Sequence, residues 1–337
     1  MLKDIEKPIQ KIRSSSAWVS FIEQTPNPLI INTPLVKSDL LARASGIDEV
    51  YFKAEYLQLG NSFKIRGAIH KLQSLLSLSQ KPIVYTASAG NHGIGLALAA
   101  KALGFKAVIY VPENTPQIKQ EKILATGAIL KAEGSNFDES EFLAKTHCDK
   151  TKGEYISSFD DDYIIAGNGG SIAREIYQAL NENIENMDLI VPIGGGGMAS
   201  GLVTFFHGSC LRLLGVEPEN DCAMYHSVKN QRFQKDYIGQ GSYADGLAGA
   251  ISQHTFNLCS TGLQQVLTVS ESEILQATCW AYEQLGIVIE GSSAVTIAAL
   301  LNKKIQFSPR VCLILTGSNI DQSLITKARS FKHTLPI

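Results

Sequence analysis

Strong charge of either sign is missing from this chain of 337 residues. Lys and Arg total 30 against 32 Asp and Glu, a formal net charge of -2. Such a balance supplies no bulk attraction to nucleic acid or to an anionic membrane surface. Long apolar runs are missing too. The stretch GIGLALAAKALG is short and carries Lys101, well under the about 20 apolar residues that span a bilayer. The opening MLKDIEKPIQKIRSS is charged and has no apolar segment, so no signal peptide is expected. Cys148, Cys210, Cys222, Cys259, Cys279 and Cys312 are scattered, with no C-x-x-C pair. That pattern argues against a disulfide framework or a zinc ribbon and for buried free thiols in a reducing cytoplasm. The seven histidines form no H-E-x-x-H spacing, the helical pair that marks many zinc hydrolases. No repeat or low-complexity linker interrupts the chain.

What is present is ordinary globular material, 45% hydrophobic and 18% charged, of a length that suggests about two domains. Short apolar runs alternate with helical patterns. VYFKAE, PIVYTA, AVIYVP, AILKAE, DLIVPIG, LRLLGVE and VCLILTG read as strands. Helices are expected over Ser62–Leu76, Asn91–Leu103, Pro116–Thr126, Ser171–Leu180, Met198–Phe206, Glu271–Leu285 and Ser292–Leu300. Alternation of this kind predicts an α/β fold with mostly parallel sheets. Ligands in such folds gather at the carboxyl ends of the strands. The glycine-rich turns TASAGNHG, IAGNGG, PIGGGG and LTGSN fall there.

The stretch LGNSFKIRGAIHKLQSLL places Lys64 in the first turn of an amphipathic helix. Ile65, Ala68, Ile69, Leu72, Leu75 and Leu76 form the apolar stripe, and Arg66, His70 and Gln73 fall opposite it. Asn61 or Ser62 is a candidate N-cap. A cation fits poorly at the edge of that stripe. The helix N-terminus is partially positive, and a partly buried ammonium loses hydration. Both effects favour the neutral amine, which is a nucleophile. The plain alternative is a lysine whose stem packs while its head reaches water.

Four consecutive glycines, Gly194 to Gly197, follow an apolar strand and precede a helix. Consecutive glycines let backbone approach an anion, and the helix offers free N–H groups and a favourable dipole. The same turn fits the dinucleotide fingerprint as Gly194-x-Gly196-x-x-Ala199, with Glu217 ending the next strand where a ribose-binding acid would lie. A nicotinamide-dependent oxidoreductase is therefore the rival class. In TASAGNHG, the residues Ser88, Ala89, Gly90, Asn91 and His92 occupy a strand-to-helix turn whose N–H groups could hold a carboxylate. Capping by Ser88 or Asn91 would explain the same residues. A nucleophile elbow would need glycine where Thr86 stands. Thr316 ends an apolar strand, and Glu290 ends an apolar run before a small-residue helix, where it could act as an N-terminal charge alone.

Taken together and in order, NSFKIRGA, TASAGNHGIGLALAAKALG, PIGGGGMASGL, YADGLAG, EGSSAVTIAAL and LTGSN resemble the pyridoxal-phosphate enzymes of the threonine dehydratase and serine racemase group. These are fold type II, tryptophan synthase β-like proteins, and the resemblance runs from NTPLVKSDLL to LTGSNID. It implies two open, twisted, mostly parallel sheets flanked by helices, with the cofactor in the interdomain cleft. The larger domain would comprise residues 1–80 and 159–337, and a small mobile domain, 81–158, would be inserted in it. A homodimer is implied as well.

By this resemblance Lys64 is the lysine that holds pyridoxal 5'-phosphate as a Schiff base, a known use of a desolvated lysine. Phe63 packs beside the ring, Asn91 meets its phenolic oxygen, and Gly194, Gly195, Gly196 and Gly197 with the Met198 N–H cradle the phosphate. Glu290 belongs to the cofactor and catalytic set. Thr316 faces the pyridine nitrogen. A neutral hydroxyl there makes a weaker electron sink than an acid, which favours prompt β-elimination. Ser88, Ala89, Gly90, Asn91 and His92 bind the substrate carboxylate, with Ser88 also a catalytic candidate.

The implied reaction is α,β-elimination from a small β-hydroxy amino acid such as L-threonine or L-serine, with Lys64 as general base. A 2-oxo acid and ammonia result. In serine racemase a serine precedes the Gly-Asn-His of this loop. Here Ala89 stands in its place and has no proton to give, so racemisation is expected to be weak or absent. YADGLAG and EGSSAVTIAAL also resemble the ectoine-degradation dehydratases. A non-catalytic ligand-binding member of the same fold is the third class.

Two departures stand out. IIAGNGGSIAREI carries an extra residue, near Asn168, where relatives usually read Ala-Gly-Gln-Gly-Thr. GVEPENDCAMYHS is shortened where racemase-like members bind a divalent ion, leaving Glu217 and Asp221 as metal candidates with fewer oxygens than Mg²⁺ or Ca²⁺ prefers. The chain ends soon after Asn319 without the regulatory domain of biosynthetic threonine dehydratases, so a catabolic role is expected.

Overall fold

The computed structural model describes residues 2–23, 27–330 and 335. Among the described residues ten strands form two sheets. The larger has the order β1-β2-β10-β7-β8-β9, built from Leu35–Lys37, Glu49–Ala54, Arg310–Leu315, Met187–Pro192, Arg212–Pro218 and Leu263–Val269. All its neighbours are parallel except β1, which lies antiparallel to β2 with Val36 opposite Phe52. The smaller is wholly parallel, β5-β4-β3-β6, from Ile129–Ala132, Ala107–Val111, Val84–Ala87 and Glu154–Tyr155.

Each expected strand is present. The strands that sequence periodicity missed are β1, β6 and β9. The first two are only three and two residues long, too short for a period-2 pattern to register. In β9 the two glutamines of LQQVLTV break the apolar run. Helices Leu2–Arg13, Asp39–Ser45, Phe137–Thr151 and Gln253–Gly262 were also unforeseen.

The central strands read as continuous apolar runs because both faces are covered. One face of the large sheet packs against Trp18, Phe21, Ile172, Leu202 and Phe256. The other packs against Leu41, Trp280, Val295 and Ala298. The junction between the two sheets passes through NSFKIRGA. Phe63 belongs to the core of the large sheet. Ile65, Ala68, Ile69, Leu72 and Leu75 pack with Ile94, Leu96, Ile109 and Ile123 beside the small sheet. Lys64 stands between them, at the seam.

The helix spans Lys64–Ser74 and corrects the expected cap. Neither Asn61 nor Ser62 caps it: Phe63 occupies the cap position in right-handed helical conformation and makes no side-chain cap bond. Asn61 instead takes the left-handed conformation, φ 58°. The face opposite the apolar stripe is not a solvent face. Arg66 is 0% exposed and His70 4%. Arg66 pairs with Glu55 and Glu175, and Lys53 joins the same group through Glu175. Two cations and two carboxylates thus balance inside the protein, with Thr33 donating to Glu55 at 2.5 Å. Partners as distant as Glu175 are invisible to a helical-wheel reading.

The stretch IIAGNGG, expected to carry an extra residue, contains a wider helical turn. Asp162–Ile165 is α-helical, Ala166–Gly170 winds as a π-turn, and Ser171–Ala179 resumes the α-helix. One inserted residue inside a helix produces such a turn, commonly near functional sites. All six cysteines are thiols outside any disulfide; five are buried, but Cys210 is exposed. Among the described residues no helix is long and apolar enough to cross a membrane.

Candidate active site

The crevice at the carboxyl ends of both sheets gathers most of the residues singled out above. Lys64 opens toward it from the seam. Its Nζ donates to the Ser158 carbonyl at 3.2 Å and sits 5.1 Å from the centre of the Phe63 ring. Surrounding protein strips water from the ammonium and lowers its pKa to about 8, against a smaller opposing pull from Glu290. A lysine shifted that far carries a usable fraction of neutral amine near pH 7, and the neutral amine is a nucleophile and a base. The helix Asn91–Leu103 crosses close behind it: a Cβ on Gly95 would lie 3.2 Å from the Lys64 Cβ.

Glycines 194 to 197 connect β7 to the helix Gly197–Phe206. Gly196 has φ 86°, where a side chain would be strained. A Cβ on Gly195 would stand 2.3 Å from the Phe159 ring, and one on Gly197 would stand 2.8 Å from the Phe159 backbone. Ser158 and Phe159 therefore bridge Lys64 and the glycine turn, which brings the amine and the anion cradle into one crevice.

Glu290 and Asn91 face each other across 199 residues of sequence. Asn91 Nδ2 donates to both Glu290 oxygens at 2.9 Å, and its Oδ1 accepts from Asn319 Nδ2 at 2.8 Å. Glu290 precedes the helix Gly291–Leu301 but makes no side-chain cap bond, so simple capping does not explain it. Burial raises its carboxyl to about 7; the Asn91 bond opposes this, Asp245 adds to it, and the Lys64 charge opposes it. Thr316 is buried, with its hydroxyl 3.0 Å from Ser293 Oγ. Its carbonyl accepts from Phe63 N at 3.1 Å. That bond ties the end of β10 to the start of the Lys64 helix.

The turn 88–92 lies beside this group. Ser88 Oγ accepts from Gly90 N at 3.3 Å, and Asn91 does not cap its helix because Glu290 holds it. The expectation for His92 concerns its backbone N–H, and its side chain is buried. Its ring is 3% exposed and Nε2 sits 3.2 Å from the Ile156 carbonyl. Desolvation, helped by the nearby Lys64 charge, lowers its pKa to about 3. The side chain is a neutral core group, and only its backbone is placed to meet a ligand.

Glu217 and Asp221 are not brought into the crevice as ligands. Glu217 accepts from Met224 N at 3.0 Å and from Tyr225 N at 2.6 Å. Both oxygens therefore already accept one bond each at the start of the helix Ala223–Lys229, and Glu217 is buried. Burial raises its carboxyl to about 8. Asp221 Oδ2 is buried without a partner, yet among the described residues no three His, Cys, Asp or Glu side chains converge as metal ligands. The donor set does not fit a divalent ion that requires six or more oxygens.

The residues sequence reasoning missed are Phe159, Ser158, Ser293 and Asn319. Each acts through contacts with partners far along the chain; Ser293 and Asn319 lie inside the quoted motifs EGSSAVTIAAL and LTGSN, whereas no motif marks Ser158 or Phe159.

The family model for pyridoxal-phosphate dependent enzymes matches residues 27–317. The L-threonine ammonia-lyase of Thermotoga maritima is 35% identical over 308 residues, covering 90% of this chain and 75% of its own. Human serine racemase is 35% identical over 300 residues, covering 86% of each chain. The processed form of threonine deaminase isoform 2 from Solanum lycopersicum superposes with a TM-score of 0.81 at 30% identity, covering 97% of this chain and 88% of that one.

Proposed function

The chain belongs to the pyridoxal-phosphate-dependent enzymes, and from that membership we propose that it is an ammonia-lyase acting on a small β-hydroxy amino acid such as L-threonine or L-serine. The observation that carries the reading is the desolvated Lys64 amine at the seam, bridged by Ser158 and Phe159 to the glycine turn. The residues fit the cofactor. A neutral-prone amine suits an aldehyde, and a side-chain-free turn at a helix N-terminus suits a phosphate.

When bound, the cofactor delocalises the electron pair left as the substrate α-proton departs. Everything else falls to the chain. Lys64 would hold the cofactor, and its free amine would take the substrate α-proton. Gly194, Gly195, Gly196 and Gly197, with Met198 N–H, receive the phosphate. Phe63 limits one side of the ring. Asn91, oriented by Glu290 and Asn319, presents its amide to the ring oxygen. The Thr316 hydroxyl, held by Ser293, offers the ring nitrogen a neutral partner. The backbone of Ser88, Ala89, Gly90, Asn91 and His92 receives the substrate carboxylate. Loss of the β-hydroxyl as water leaves an enamine, whose hydrolysis yields the 2-oxo acid and ammonia.

Residues 81–158 form the unit that closes over the substrate and excludes water, with the Lys64 helix as its shared wall against residues 1–80 and 159–337. A cytoplasmic homodimer is the setting we infer. The test is 2-oxo acid release from cofactor-loaded protein given L-threonine, L-serine and 3-hydroxyaspartate in parallel. Rapid release from one names the substrate class. Silence from all three, with cofactor bound, would refute the lyase reading and favour a non-catalytic member of the fold.

A further inference from the structure

The helix that carries Lys64 begins without a local cap. An uncapped first turn frays, and fraying at that point would loosen the very residue that must be held. The structure supplies a partner from 101 residues away. Asn168 Oδ1 accepts from Gly67 N at 2.8 Å, and Asn168 is 1% exposed. Gly67 is the fourth residue of the helix, and the carbonyl four residues before it, that of Phe63, accepts from Arg66 N at 3.0 Å, so the Gly67 N–H at the end of the first turn is met by Asn168.

Asn168 stands in the π-turn Ala166–Gly170, whose glycines let it touch two helices at once. On one side, a Cβ on Gly167 would lie 2.8 Å from Gly67 Cα, and a Cβ on Gly67 would lie 2.8 Å from the Asn168 amide. On the other, a Cβ on Gly169 would lie 2.1 Å from the Met198 carbonyl and 2.6 Å from Gly201 Cα. The turn is thus clamped between the helix that starts at Lys64 and the helix that starts at the glycine cradle. The stretch IAGNGG, expected to carry an extra residue, is wound into this clamp.

Resting on the proposed reading of the site, we propose that Asn168 is a positioning residue. It caps the Lys64 helix from a distance, and the π-turn that holds it sets the spacing between the amine and the phosphate cradle. The amide acceptor, not the bulk of the side chain, is what matters.

Three variants separate these: Asn168→Leu keeps the shape without the acceptor, Asn168→Asp keeps an acceptor, and Asn168→Ser is too short to reach Gly67 N. Two readouts are used. The first is amide hydrogen exchange of the cofactor-free protein, comparing the peptide over residues 63–68 with the rest of the chain. The second is the pyridoxal-phosphate dissociation constant. In Asn168→Leu the 63–68 peptide should exchange about tenfold faster while other segments hold, and cofactor should bind about tenfold more weakly, the usual scale for a lost cap. Asn168→Asp should restore both to within about threefold. If Asn168→Leu does not fold, Asn168→Ser is read in its place. Unchanged exchange at 63–68, loss of protection spread evenly over the chain, or an Asp variant no better than Leu would each overturn the proposal. Exchange is read without cofactor, so a wild-type protein that binds no pyridoxal phosphate would refute the functional reading while leaving the cap tested.

Discussion

The amine of Lys64 should titrate near neutrality in the cofactor-free protein, and this can be worked through to numbers. Desolvation disfavours the ammonium, so the pKa falls, from 10.5 to about 8. At pH 7 about one molecule in ten then carries the free amine, against roughly one in three thousand for an unperturbed lysine, a ~300-fold gain in reactive species. The assay is the stopped-flow rate of cofactor capture by apo-protein between pH 6 and 10.5. The rate should climb about tenfold per pH unit, bend near 8 and level off. Glu290 opposes the depression, so Glu290→Gln should move the bend to lower pH. The same shift has a stability signature. The unfolded chain binds more protons than the folded one between the two pKa values, so stability rises with pH from about 8 to 10.5 and the penalty is full below 8. Lys64→Met should therefore stabilise the apo-protein at pH 7 by on the order of 2 kcal/mol, allowing for partial exposure. A capture rate still rising steeply above pH 9, or a bend that moves upward in Glu290→Gln, would refute the reasoning.

Gly195→Ala drives a methyl against Phe159 and should weaken pyridoxal-phosphate binding by at least tenfold, measured by absorbance titration. Arg66→Met leaves Glu55 and Glu175 buried beside Lys53 alone and should cost about 3–5 kcal/mol, read from urea unfolding midpoints. Ala89→Ser installs a proton donor in the carboxylate loop and should raise racemisation relative to elimination, scored by chiral analysis of recovered serine; no change would count against the placing of that loop. Asn91→Ala removes the donor that lowers the Glu290 carboxyl, so that group should titrate above 7, which ¹³C-detected NMR of labelled carboxylates would follow.

Much of this protein was legible in its sequence. Parallel strands buried on both faces read as unbroken apolar runs, and glycines mark the turns at their ends, because these features depend on near neighbours. Lys64 stood out for the same reason: its misfit with the stripe of Ile65, Ala68 and Ile69 is local. Family motifs then gave the residues their order and roles. What tertiary structure alone decided was which groups meet. Glu217 looked like a ribose or metal ligand until the N–H groups of Met224 and Tyr225 closed on it. The His92 ring packs against the Ile156 carbonyl, 64 residues away. Arg66 and His70 fall opposite the apolar stripe, and their burial rests on Glu175 and Ala17, partners that only the packed structure supplies. The cap of the Lys64 helix came from Asn168, beyond any local window. Spacing along a chain encodes the period of an element, whereas burial and pairing of a polar side chain depend on residues brought close only when the sheets and helices pack.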